Sequence, residues 1–243
     1  MSGSKKKYSK ADQDYIARRT AFAEKYGQPD LWSIVDHWPL YAGVYSLSRF
    51  IAISKLVEQS LTVPGHIGEV GSWRGANLLF MAKLIRLFDP HSNKQVHSFD
   101  AFEGLQQFSP EDGDATRTKG FYRGSLDELL DVIALYDLQD EVVIHKGLVE
   151  ETLPPLLAER TELSFSMIYI DVDLYAPTLL ALREFHNRLS LGGMIVFDEW
   201  NIAMFPGETV AVREFMAENP GSYVMEHVRN TRQPSLVLRK VAL

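Results

Sequence analysis

Ser166-Met167-Ile168-Tyr169-Ile170 runs directly into Asp171-Val172-Asp173, and Gly193-Met194-Ile195-Val196-Phe197 runs directly into Asp198-Glu199. Short apolar runs of this kind read as buried strands of a parallel sheet, and in open α/β sheets ligands gather just beyond the carboxyl ends of such strands. If the two strands are neighbours, four carboxylates meet at one place. A cluster of oxygen donors, in a chain without cysteine, suits a hard divalent cation, magnesium before zinc.

Outward from these two runs the chain alternates. His66 to Val70 reads as a first strand, Ala76 to Phe88 as the helix after it, and Gln95 to Phe99 as a second strand ended by Asp100. A polar loop from Glu103 to Gly124 precedes a helix over Leu126 to Tyr136 and a third strand over Glu141 to His145. Leu153-Pro154-Pro155 opens or interrupts a short helix, Phe165 to Ile170 is the fourth strand, Leu174 to Leu189 an amphipathic helix, and Leu191-Gly192-Gly193 reads as a tight turn into the fifth strand. Ile202 to Gly207 is expected to be a loop, Glu208 to Glu218 a helix, and Tyr223 to Val228 and Ser235 to Lys240 two antiparallel strands. Upstream, Ala11 to Tyr26 and Leu40 to Gln59 have helical spacing, with the aromatic stretch Trp32 to Pro39 between them. This βα alternation calls for a mostly parallel, seven-stranded sheet with helices on both faces and an N-terminal helical extension. The extension spans residues 1–64 and is the expected lid; the α/β domain spans 65–243.

Composition narrows the function. The chain has 243 residues, of which 46% are hydrophobic and 23% charged, enough for one soluble domain with a sizeable core. A net charge of -7 argues against nucleic acid as a partner. Only Lys5, Lys6, Lys7 and Lys10 form a local basic run, and a short polar terminus is ordinarily solvated. The absence of cysteine excludes disulfides and thiol catalysis. No stretch approaches the roughly 18 apolar residues of a membrane span, so no membrane contact and a cytoplasmic location are expected.

Glu69-Val70-Gly71-Ser72-Trp73-Arg74-Gly75 lies between the first strand and its helix, where an α/β fold binds nucleotides. The spacing is not GxGxxG, which opposes a dinucleotide. Glu69 also disfavours phosphate and suits a cationic ligand, such as the ammonium and sulfonium of S-adenosylmethionine. Asp100, one strand later, is placed to accept hydrogen bonds from both hydroxyls of a ribose. Ordinary roles compete: a tight turn for Gly71 and Gly75, a loop acid for Asp100, and a cap on the helix after Leu174 for Asp173. His37 and His145 are candidates to orient an acceptor. So are Tyr175, Trp200 and Asn201 beside the acids, with Pro206-Gly207-Glu208 as a gate over the site.

Taken together, the segments Glu69 to Gly75, Ser98-Phe99-Asp100-Ala101-Phe102-Glu103-Gly104, Asp171-Val172-Asp173-Leu174-Tyr175 and Gly192-Gly193 with Asp198-Glu199 resemble the macrocin O-methyltransferase (TylF-type) family. The Gly147 to Pro154 segment adds to the likeness, which covers roughly Gly65 to Phe215. The resemblance implies a Rossmann-like class I methyltransferase that uses S-adenosylmethionine and Mg2+ to methylate a sugar hydroxyl, on a natural-product glycoside or a surface saccharide, and that assembles as a homo-oligomer. Residue by residue it implies Asp171, Asp198 and Glu199 as metal ligands, Asp173 as general base, and Asp171 also among the catalytic groups. On the cofactor side it implies Glu69, Gly71, Ser72, Trp73, Gly75, Asp100 and Gly147. Glu199 departs from the pattern, which usually has a second aspartate there. Two other readings stay open: a nucleotide-dependent oxidoreductase or hydroxylase on a similar sheet, and a non-catalytic S-adenosylmethionine-binding partner subunit.

Overall fold

The computed structural model describes residues 10–242, so Lys5, Lys6 and Lys7 of the basic run lie outside the described residues. Seven strands form one sheet: β1 His66–Val70, β2 Val96–Asp100, β3 Val142–Lys146, β4 Phe165–Ile170, β5 Leu189–Phe197, β6 Tyr223–His227 and β7 Leu236–Lys240. Their order is β3-β2-β1-β4-β5-β7-β6, with β7 antiparallel to both neighbours and the other pairs parallel. The order reverses between β1 and β4, and that switch point opens a crevice at the strands' carboxyl ends.

β4 shows why a continuous apolar run was needed. All six of its residues are buried. Met167 and Tyr169 join the core beneath α4 (Val44–Leu61), α5 (Ala76–Phe88) and α6 (Leu126–Leu135), while Ile168 and Ile170 join the core beneath α7 (Val149–Glu159), α8 (Tyr175–His186) and α9 (Pro206–Glu218). On a sheet covered on both faces, side chains alternating with period two are buried at every position, and all but Ser166 are apolar. Ala52, Ile53, Leu56 and Val57 of α4 are buried in the same cluster as Ile67 of β1, so the second half of α4 shares the core of the α/β unit. Three shorter pieces precede it: α1 Lys10–Lys25, α2 Leu31–Asp36 and α3 Trp38–Tyr41.

Local differences from the expected pattern have physical causes. Pro154 and Pro155 do not open α7 but lie inside it: the helix starts earlier, at Val149, and runs past both prolines without the backbone hydrogen bonds their missing N–H groups would have given. Leu191-Gly192-Gly193 is not a turn but part of β5, which begins at Leu189; Gly192 adopts φ 81° there, and a Cβ on Gly193 would lie 2.8 Å from the Ser190 carbonyl. The polar loop after β2 contains a 3-10 segment, Pro110–Thr118. Asp112 in this segment is buried and accepts from the backbone N–H of Tyr175 at 2.7 Å, so it fastens the loop to the start of α8.

Candidate active site

The glycine turn after β1 is built from backbone closeness. Gly71 has φ 86°, and a Cβ there would lie 1.9 Å from the carbonyl oxygen of Asp171, so only glycine lets the ends of β1 and β4 meet. Gly71 N–H donates to Phe99 O at 2.9 Å and Asp171 N–H donates to Val70 O at 2.8 Å, stitching the turn to the acids. Asp100 closes this end. Its Oδ2 accepts from the N–H groups of Ser72 and Trp73, both at 2.7 Å, and its Oδ1 from that of Phe102 at 2.5 Å. A carboxylate offers about four acceptor positions, so one position on Oδ1 is left, which suits one ribose hydroxyl rather than two.

The acids meet at the other end. β4 and β5 are paired neighbours, and Asp171, Asp173 and Glu199 each present a carboxylate oxygen within 4.8 Å of the others. Asp198 turns elsewhere: its two oxygens accept from Arg49 Nη1 at 2.7 and 2.8 Å, and Oδ1 also accepts from the hydroxyl of Tyr169. Arg49 Nη2 reaches Asp171 Oδ2 at 3.1 Å. Glu208, at the start of α9, is fully buried with neither carboxylate oxygen partnered, and Glu199 Oε2 is also buried without a partner. Among the described residues, Arg49 supplies the ion pairs to this group of carboxylates.

Burial sets the protonation of the group, and crowding adds to it. Burial and then the charges of Asp198, Asp173 and Glu69 push Asp171 well above the usual carboxylate range, against the opposing pull of Arg49. Glu199 and Glu208 are pushed up in the same way, by burial first and by neighbouring carboxylates after it. Asp173 is raised to about 7 by burial and Asp198. Burial pulls Arg49 down, but Tyr169, Asp198 and Asp171 outweigh it and its guanidinium stays charged. An all-oxygen donor set with orphaned, buried carboxylate oxygens fits a hard divalent cation.

One cavity of about 410 Å³ joins the two ends. Of the residues expected on the cofactor side, Gly71, Ser72, Trp73, Asp100 and Gly147 line it; Gly75 and Glu69 do not. Gly75 acts one step back: at φ 80° it caps α5 against Leu129, whose Cδ1 would lie 2.4 Å from an added Cβ. Glu69 lies buried at the end of β1 with Oε2 unpartnered, and burial raises it to about 8. Asp171, Asp173, Asp198 and Glu199 all line the cavity. Asp173 does not cap α8; the N-cap position is Leu174, and Asp112 accepts the helix's first N–H. Asp173 holds φ 63°, left-handed for a residue with a side chain, and such backbones cluster at functional sites.

Other candidates fall away from the cavity. The ring of His145 stacks on Phe99 and shares a 3.1 Å hydrogen bond with His97, while exposed His37 bonds the Ser33 carbonyl. Tyr175 donates to Glu214 at 2.6 Å, Trp200 packs against the core, and Asn201 N–H donates to Thr209. Pro206-Gly207-Glu208 is no exposed gate: Pro206 opens α9, Gly207 and Glu208 are buried, and a Cβ on Gly207 would lie 2.0 Å from Asp112 Oδ1. Three residues of the site escape sequence reasoning, Arg49, Tyr169 and Tyr122, the last lining the cavity and facing the acids, while Glu208 is read only as part of a gate. Tyr169 alone gave a signal, since a fully buried tyrosine needs a partner for its hydroxyl.

Known proteins resemble this chain in sequence and fold. The chain is 29% identical over 68% of its length to 8-demethyl-8-(2,3-dimethoxy-alpha-L-rhamnosyl)-tetracenomycin-C 4'-O-methyltransferase of Streptomyces olivaceus, and the match spans 65% of that relative. It is 27% identical over 74% of its length to demethyldecarbamoylnovobiocin O-methyltransferase of Streptomyces niveus, spanning 70% of that protein. The apo structure of CalS11, described as a TDP-rhamnose 3'-O-methyltransferase in calicheamicin biosynthesis, superposes with a TM-score of 0.69 at 26% identity, covering 96% of both chains. The macrocin-O-methyltransferase (TylF) family matches residues 23–232. The chain belongs to that family of O-methyltransferases.

Proposed function

We propose that this chain moves a methyl group from S-adenosylmethionine to a hydroxyl of a sugar, on a natural-product glycoside or a surface saccharide, with Mg2+ held by the acid cluster. The observation that carries this reading is that one cavity joins a glycine turn and Asp100 to Asp171, Asp173 and Glu199. Methyl transfer from a sulfonium is an in-line displacement, so the donor and the acceptor hydroxyl must face each other across one enclosed space. Ser72, Trp73 and Asp100 would hold the donor at one end; Asp171 and Glu199, with Asp198 or Asp173, would hold the cation at the other. The cation would contribute Lewis acidity, lowering the proton affinity of a nearby alcohol oxygen. Asp173 lines the cavity with no side-chain hydrogen bond or ion pair among the described residues, and burial and Asp198 raise it to about 7, which suits a general base taking the acceptor proton. Tyr45, Arg49 and Phe50 of α4 form part of the wall, which supports a covering role for the N-terminal segment.

Purified chain, methyl donor and Mg2+ are incubated with a panel of glycosides and nucleotide deoxysugars, the latter because CalS11 is described as acting on TDP-rhamnose. The expected product is heavier by one methyl and is lost with EDTA. Methylation that survives thorough chelation removes the metal from the reading, and no product from any sugar removes the acceptor class.

A further inference from the structure

α4 has two unlike halves. Ala52, Ile53, Leu56, Val57 and Ser60 are buried, whereas Val44 is 81% and Tyr45 45% exposed. Phe50 touches Phe80 edge-on, but the polar ties that hold the exposed half over the cavity both end on the acids. Arg49 grips Asp198 and Asp171. Tyr45 donates to Gln233 Oε1, and Gln233 Nε2 donates to Glu199 Oε1 at 2.7 Å.

Arg49 occupies the side of Asp198 that faces Asp171, where a cation shared by the two would sit. Both Asp198 oxygens lie within 2.8 Å of Nη1. A magnesium ion bonds oxygen at about 2.0 to 2.1 Å, so an ion shared between Asp198 and Asp171 would stand against the guanidinium that bridges them, like charge against like. We propose that Arg49 is a tethered counter-ion that holds the cation position between Asp171 and Asp198 and must leave it for a divalent cation to bind Asp198, releasing the first half of α4. This inference rests on the divalent-cation reading above. The linkage is reciprocal: whatever holds Arg49 on the acids weakens cation binding by the same factor.

The test is Mn2+ binding to the full chain, followed by electron paramagnetic resonance, in the wild type, Arg49→Met and Arg49→Lys, with folding checked by circular dichroism. Arg49→Met should bind Mn2+ roughly tenfold more tightly than the wild type, with Arg49→Lys, which keeps the charge but loses the fork, in between. If Arg49→Met fails to fold, Arg49→Lys carries the comparison and must still bind more tightly. Equal or weaker binding in the variants overturns the inference and leaves the cation reading standing, with the ion seated on Asp171, Asp173 and Glu199. Absence of Mn2+ binding in every form overturns both. In the wild type, saturating Mn2+ should speed hydrogen exchange in the amides of residues 44–50; unchanged or slower exchange overturns the release.

Discussion

The two ends of the cavity are held together in opposite ways. At the glycine turn, the end proposed for the methyl donor, Asp100 satisfies three backbone N–H groups and Gly71 bonds across to β2, so apart from Glu69 Oε2 that end is hydrogen-bonded before anything binds. At the acid end, carboxylates outnumber their donors, and Glu199 and Glu208 keep buried oxygens without partners. Hydrogen-bonded structure stabilises the fold, whereas crowded, desolvated carboxylates weaken it, a cost that the proposed cation would offset. Stability is thus concentrated at one end and reactivity at the other.

Substitutions should therefore separate the two ends. The largest effect is expected from Asp171→Asn, which belongs to every cation-binding set the geometry allows. Turnover should fall by about a thousandfold or more, while the melting temperature in EDTA stays level or rises. A fall in stability comparable to that of a donor-end variant would break the contrast. Asp173→Asn should cost less, roughly a hundredfold in kcat/KM, and leave S-adenosylhomocysteine affinity unchanged. With Asp173 near 7, its base form fills as pH rises, so the wild-type rate should climb through that range and level off above it. Increasing Mg2+ should move the climb to lower pH, and a profile insensitive to both pH and Mg2+ would leave Asp173 without the base role.

Asp100→Ala is the opposite case. Three N–H groups lose their acceptor, which should cost about 3 kcal/mol in the unliganded chain, with weaker S-adenosylhomocysteine binding measured by calorimetry. Equal stability to the wild type would mean that the turn is held by Gly71 and its strand contacts alone.

What the sequence disclosed follows the same division. β1, β4 and α5 fall within the expected bounds, because short apolar runs closed by glycine or aspartate are local signals. The carboxylates were legible because each stands directly beyond such a run. Arg49 was not: it sits on a helix 122 residues from Asp171 and 149 from Asp198, and only the crossing of α4 over the strand ends brings them together. Glu208 read as part of a gate before a helix rather than as a buried acid, since burial at α9 depends on Gly207 packing against Asp112 from a distant loop. Local patterns mark where charge is placed, and tertiary packing decides which charges are neutralised.

Glu69 sharpens the contrast with the smallest expected effect. It is the donor end's one buried acid with an orphaned oxygen among the described residues, and burial holds it at about 8 against an ordinary value of 4.5. Below pH 4.5 the folded and unfolded chains both carry its proton, so it costs nothing. Between 4.5 and 8 the unfolded chain ionises while the folded chain does not, and stability is lost as pH rises; above 8 the loss is complete. Glu69→Gln should therefore match the wild type near pH 4.5 and become more stable by about 2 to 3 kcal/mol at pH 7, measured by urea unfolding across that range. If the carboxylate also serves the methyl donor, the stabilised variant should lose affinity for the sulfonium S-adenosylmethionine more than for S-adenosylhomocysteine, whose sulfur is uncharged. An equal loss for both would confine Glu69 to the ammonium, and no loss would make it purely a burden on the fold.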